Sequence, residues 1–257
     1  MLQNRPLESE GIAHHRCTIY CSSAGGETTA SSLLWWLLAM LVYPSVQARA
    51  HAELDKVVGR ARPPTFVDIP FLPYIRAMVK ETLRWSPLVP FGVAHVLTAD
   101  EWYEGMFIPK GTICLQNMRV LNSDPEVFGP NAAEFDPTRY LDEKGQVKTI
   151  EDREEGHMSF GFGRRVCPGR YLAEETLLID FATLLWAMRF ERREASQGKL
   201  DVHTLLHIGL TGYVVLSALS IGVLIEEHSR PVPFECKAVP RFTEAEALLN
   251  EAQGLYE

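Results

Sequence analysis

The sequence predicts a mostly α fold with small β-sheets. Apolar and amphipathic runs at helical spacing fill its first third and return near residue 171. Between them lie short alternating stretches bounded by Pro and Gly, the pattern of small sheets and turns. The 257 residues are 46% hydrophobic and 23% charged, enough to bury a substantial core as one large domain or two small ones. That excludes a disordered or fibrous chain.

From Cys17 to Tyr43 one long helix is predicted, apolar on nearly every side over LLWWLLAMLVY and stopped where Pro44 forces the preceding residue out of the helical region. Such a helix belongs at the centre of a fold. Pro44 then suits the first turn of an amphipathic second helix, SVQARAHAELDKVV, which Gly59 ends. After the loop ARPPTFVDIPFLP a third helix, YIRAMVKETLRW, closes at Ser86-Pro87. Alternation through AHVLTADEWYEGMFIPKGTICLQN predicts strands, with a hairpin turned at Pro109-Lys110-Gly111. From Leu121 to Gly156 the abundance of Pro, Gly, Asn and Asp predicts an ordered meander with little regular structure. A last long helix runs from Tyr171 to Arg189.

A formal charge of -8 argues against a general nucleic-acid binder, since phosphate attraction needs a net basic face. Five cysteines, an odd number, make no disulfide framework and suit a reducing, cytosol-facing setting. The opening MLQNRPLESEGIAHH has no apolar core of the kind a signal peptide needs.

The segment SFGFGRRVCPGRYLAEE places Cys167 among Gly161, Gly163 and Gly169, beside Arg164, Arg165 and Arg170 and directly before the last long helix. Glycines let backbone N–H groups face the sulfur, while guanidinium groups and a helix N-terminus favour a thiolate. A thiolate so held is a nucleophile or a metal ligand. No second Cys or His stands at zinc spacing around it, and a single thiolate suits an axial ligand of haem iron. FGFGRRVCPG resembles the haem-binding signature of the cytochromes P-450, with all six positions met at Phe160, Gly161, Gly163, Arg165, Cys167 and Gly169. The competing reading is a buried free cysteine in an Arg-rich loop.

Three further segments follow the same family in the same order. AGGETTAS sits inside the first helix, where Gly25 and Gly26 cost about 1 kcal/mol each relative to alanine and clear bulk from one turn. Thr28 can turn its hydroxyl onto a carbonyl one turn earlier and loosen the helix. This resembles the family's distal oxygen-binding motif, which implies that Thr28 hydrogen-bonds oxygen and Glu27 relays protons; a small-residue packing face is the alternative. Glu81 and Arg84 share a helix face, and an exposed pair of this kind would contribute only about 0.2–0.5 kcal/mol. KETLRWSP resembles the family's Glu-x-x-Arg helix and FDPTRY its meander motif, implying a buried structural network of Glu81, Arg84 and Arg139 beneath the haem. By the same resemblance His95 is a candidate for one haem propionate, against the ordinary reading of a lone surface or core histidine, and Arg165 is a stronger candidate for a propionate. His14, Cys17 and Cys21 lack a fourth ligand for zinc.

The resemblance is to the C-terminal half of a fungal-type member, so that residues 1–257 form a partial cytochrome P-450 domain; the expected origin is a truncated gene model, or else a true half-length protein. It implies a haem-thiolate monooxygenase that inserts one atom of O2 into a small, lipophilic, secondary-metabolite-like substrate, using haem b and electrons from NADPH through a reductase. The full-length family sits on the cytosolic face of the endoplasmic reticulum membrane. Residues 205–225 carry no Asp, Glu, Lys or Arg and are long enough to be a span candidate. Gly209-Leu210-Thr211 resembles a hairpin tip entering the substrate pocket and HSRPVPFEC the strand after it, which makes residues 212–227 an expected insertion, read as a translated intron. Two other classes stay open: an inactive relic or interaction protein of the same family, and a small helical membrane protein resting on residues 205–225 alone.

Overall fold

A computed structural model describes residues 7–148, 156–193, 229–231 and 233–253, with side chains from Gly25 onward. The side chains of His14, Cys17 and Cys21, the expected hairpin tip at 209–211, the span candidate and the expected insertion all lie outside the described residues.

Helix α1 (Leu7–Val42) begins earlier than the predicted Cys17 and stops where Pro44 demands. Tyr43 leaves helical geometry at φ -118, ψ 69, and α2 (Pro44–Val57) departs at 104°. Gly59, at φ 73, takes the left-handed position after α2 and donates its N–H to Leu54 O at 3.1 Å. The start of α3 (Pro73–Trp85) is capped from α2. The Glu53 carboxylate accepts from Tyr74 N at 2.8 Å and Ile75 N at 3.0 Å, and burial raises its pKa.

The last long helix, α6 (Arg170–Ala187), ends sooner than its apolar pattern suggests, because Met188 to Arg192 form strand β5, paired antiparallel with β6 (Cys236–Pro240). The α2 side chain Gln47 enforces the change: its Oε1 accepts from Phe190 N at 2.7 Å and its Nε2 donates to Phe190 O at 3.1 Å. One turn on, His51 Nε2 bonds Met188 O at 3.2 Å. HSRPVPFEC was expected to be strand, yet β6 starts only at Cys236. A helix that the sequence did not suggest, α7 (Ala245–Gln253), follows.

The core is where α1, α3 and α6 meet. Trp35, Trp36, Leu38, Ala39 and Met40 of α1 are buried. Trp36 stacks on Phe181 of α6 at 4.4 Å and donates its indole N–H to Met78 Sδ of α3 at 3.1 Å. Trp35 meets Trp85 edge-on at 6.1 Å. An indole buries about 150–250 Å², so each contributes about 4–6 kcal/mol of transfer free energy. That is why the chain passes its most apolar helix through the middle.

Four short strands follow α3: β1 (His95–Val96), β2 (Glu101–Tyr103), β3 (Met106–Ile108) and β4 (Ile113–Cys114). The predicted turn at Pro109-Lys110-Gly111 exists, with Thr112 N donating to Pro109 O at 3.2 Å and Gly111 at φ 88. It does not close a hairpin. The tight hairpin is β2–β3, turned at Glu104-Gly105, and the strands flanking the Pro109 turn belong to different pairs, since β4 returns to β1. The meander holds two short helices, α4 (Met118–Asn122) and α5 (Pro125–Phe128), and a 3-10 turn at Pro137–Tyr140. Among the described residues no single helix is long and apolar enough to cross a membrane.

Candidate active site

The glycines of the cysteine loop set its path. Gly161 at φ 74 and Gly163 at φ 67 occupy left-handed backbone that a side chain would strain. Gly161 N donates to Met158 O at 2.9 Å, a 3-10 turn covers Gly163–Arg165, and Cys167 N returns to Phe160 O at 2.9 Å. The loop therefore folds back on itself and presents a partly buried Cys167 at the head of α6. Gly169, the residue before α6, has ordinary backbone angles, and a Cβ there would lie 3.9 Å from the Cys167 sulfur, so nothing among the described residues forbids a side chain. Arg164 and Arg165 stand exposed on the turn, and His95 is exposed on β1 opposite Cys114.

Behind the loop lies the ion-pair network. Glu81 and Arg84 on α3 are 0% and 1% exposed, a burial that only a paired, fully bonded charge tolerates. Arg84 donates Nε to Glu81 Oε2 at 2.7 Å and a second N–H to Oε1 at 2.8 Å. Its remaining N–H groups reach the carbonyls of Asn122, Ala132 and Glu134 at 2.7, 2.8 and 3.0 Å. Arg139 donates Nε to Glu81 Oε1 at 3.0 Å, and Asp136 N donates to the same oxygen at 2.8 Å. The structure thus brings Glu81, Arg84 and Arg139 together, as a brace between α3 and the meander.

Two residues that the sequence did not single out join this brace to the cysteine loop. Asn122, 1% exposed, accepts from Met158 N at 2.8 Å and donates to the Ser159 hydroxyl at 2.8 Å. Ser159 Oγ donates to Leu83 O at 2.6 Å. Nothing in the local sequence marks them, since their partners are distant in the chain.

The acid–alcohol turn sits on α1. Thr28 Oγ1 donates to Gly25 O at 3.3 Å, one turn earlier, but the helix stays continuous and is not loosened there. Gly25 and Gly26 are exposed, and a Cβ on either would meet nothing within 4 Å, so no close neighbour among the described residues explains them. Glu27 is half-exposed and ion-paired with Arg230, whose Nε also donates to Ser31 Oγ at 3.2 Å. The sequence did not suggest Arg230, which arrives from the far end of the chain.

The fold agrees with comparison to known proteins. The family model for cytochrome P450 matches residues 6–212. The chain belongs to the cytochrome P450 family. Among fungal relatives, a cytochrome P450 monooxygenase of Armillaria gallica is 46% identical, over 91% of this chain and 42% of its own length. Cytochrome P450 monooxygenase 58 of Postia placenta is 41% identical, over 88% and 40%. Cytochrome P450 monooxygenase iboC of Amanita muscaria is 36% identical, over 90% and 47%. The chain thus spans less than half the length of these P450 relatives.

The family implies haem, and the residues present fit it. The cysteine loop offers one partly buried sulfur, and backbone hydrogen bonds close the loop around it. Among the described residues no three His, Cys, Asp or Glu side chains gather as a metal cage, so this P450 loop offers a single soft donor, the set that suits haem iron.

Proposed function

We propose that the chain is the haem-binding part of a fungal haem-thiolate monooxygenase, with Cys167 as the iron ligand. The observation that carries this reading is the partly buried Cys167 on a glycine-shaped loop bolted to the Glu81–Arg84–Arg139 brace. Haem b bound through that sulfur would supply the centre at which O2 is activated, one oxygen atom entering a small lipophilic organic substrate and the other leaving as water. Electrons come from NADPH through a reductase, and the whole protein works on the cytosolic face of the endoplasmic reticulum membrane, as in its family.

The chain's own residues divide the remaining work. Phe160, Gly161, Gly163 and Gly169 shape the seat beside the sulfur. Arg165 and His95, both exposed, supply positive charge and an N–H for the haem carboxylates. Thr28, whose hydroxyl now bonds Gly25 O, would hydrogen-bond bound oxygen, and Glu27, once released from Arg230, would take a proton from solvent on its carboxylate and pass it on. Glu81, Arg84 and Arg139 hold the platform and touch no reacting atom. Residues 212–227 are an insertion in this reading, and the end of the family match at residue 212 supports it.

The second reading is an inactive relic or interaction protein of the same family. An absorbance spectrum of the purified chain after haem addition and reduction under CO separates the two. A red-shifted Soret band establishes thiolate-ligated haem, and its absence at saturating haem favours the relic.

A further inference from the structure

His157 is buried at the start of the stretch leading into the cysteine loop, and none of the roles above uses it. Its Nδ1 accepts from Ser159 N at 3.2 Å, which puts the ring proton on Nε2. Among the described residues Nε2 is buried without a hydrogen-bond partner. A histidine chosen only to fill space would be a poor choice here, because an apolar ring would leave no orphaned donor. The Nδ1 acceptor is therefore what the position requires. The bond closes a turn of the kind an Asn side chain makes with the N–H two residues on.

We propose that His157 is a positioning residue for the cysteine loop, the acceptor that shapes the turn at Ser159 and so ties the loop to the α3 brace. The turn aims the Ser159 hydroxyl at Leu83 O and Asn122, at 2.6 and 2.8 Å. The next residue, Phe160, holds Cys167 N at its carbonyl, and its ring lies 5.7 Å from the imidazole. Two residues thus separate the imidazole from the backbone hydrogen bond that carries Cys167. Lys80 and Arg84 face the ring, and burial together with these charges keeps it neutral, with its pKa pushed down to about 3. A neutral ring is the form in which Nδ1 can accept. The consequence for ligation rests on the reading of Cys167 as iron ligand; the consequence for the turn does not.

The test uses the 257-residue chain with His157→Asn, His157→Phe and Ser159→Ala. Amide exchange at residue 159 is measured without haem, and the ferrous-CO spectrum after haem addition. His157→Asn should keep slow exchange and the wild-type share of thiolate-ligated band. His157→Phe should speed exchange at residue 159 about tenfold or more and lower that share. Ser159→Ala, which leaves the turn intact, should lower the share while exchange stays slow. Phe and Asn variants that match each other in exchange would overturn the proposal. If the wild-type chain gives no thiolate band, the haem reading fails while the exchange comparison still decides the role of His157. Should His157→Phe not fold, equal exchange in His157→Gln, whose longer amide misses the Nδ1 position, and His157→Asn overturns it instead.

Discussion

Replacing Arg84 by methionine keeps an unbranched stem and removes the guanidinium from an ion pair whose partners are 1% and 0% exposed. Five hydrogen bonds go with it: two to Glu81 and three to the carbonyls of Asn122, Ala132 and Glu134. Glu81 keeps Arg139 and the Asp136 N–H, two of the four hydrogen bonds its carboxylate accepts. Opening one side of a buried pair costs about 3–5 kcal/mol. We place Arg84→Met at about 4 kcal/mol, nearly a thousandfold in the folding equilibrium at about 1.4 kcal/mol per factor of ten. The control is Arg189→Met, which opens the pair with Glu191 whose side chains are 59% and 37% exposed and should cost less than about 1 kcal/mol. Urea unfolding followed by far-UV circular dichroism measures both. If Arg84→Met and Arg189→Met lose the same stability, the brace is not what holds α3 to the meander.

Cys167→Ser should abolish the red-shifted ferrous-CO Soret band in this chain while leaving the far-UV spectrum unchanged, because an alcohol is a poor soft donor; a persisting band would remove Cys167 from the iron. In a chain that turns over with a reductase, Thr28→Ala should leave haem content near normal and divert reducing equivalents to hydrogen peroxide, read as peroxide formed per NADPH consumed. His157 has a folded pKa of about 3 against an ordinary value of 6.5, so the unfolded chain takes up the proton first. Its contribution to stability is intact above pH 6.5 and is lost as the pH falls from there through about 3, and His157→Asn should flatten urea midpoints measured across that window.

The turns of the cysteine loop and the shared helix face of Glu81 and Arg84 were legible because they are local, a few residues at fixed spacing; the burial of that pair came only from the family resemblance. Arg139 was legible only through family resemblance. The strand pairing was not, because alternation marks a strand without naming its partner, and β4 chose β1 across the intervening hairpin. The end of α6 was misread for a similar reason. Apolar spacing continues through Met188, but Gln47, distant in sequence, claims the Phe190 backbone and turns the chain into strand. Arg230 beside Glu27 and Asn122 beside Ser159 are likewise meetings of residues far apart along the chain, which no periodicity reports.

The Gln47 and His51 bonds to β5 have a consequence for self-association. A ribbon of two strands has two open sides, each a row of amides and carbonyls ready to recruit a strand from another molecule. On the side of β5 facing away from β6, Gln47 and His51 present themselves in place of that strand, one answering both groups of Phe190 and the other the carbonyl of Met188. Helix α2 thus acts as a counterfeit neighbour, its side chains spaced four apart to match alternate residues of the strand. The seal costs no extra polypeptide. It takes Phe190 and the Met188 carbonyl away from an incoming chain, a safeguard against sticking that depends on one amide and one imidazole.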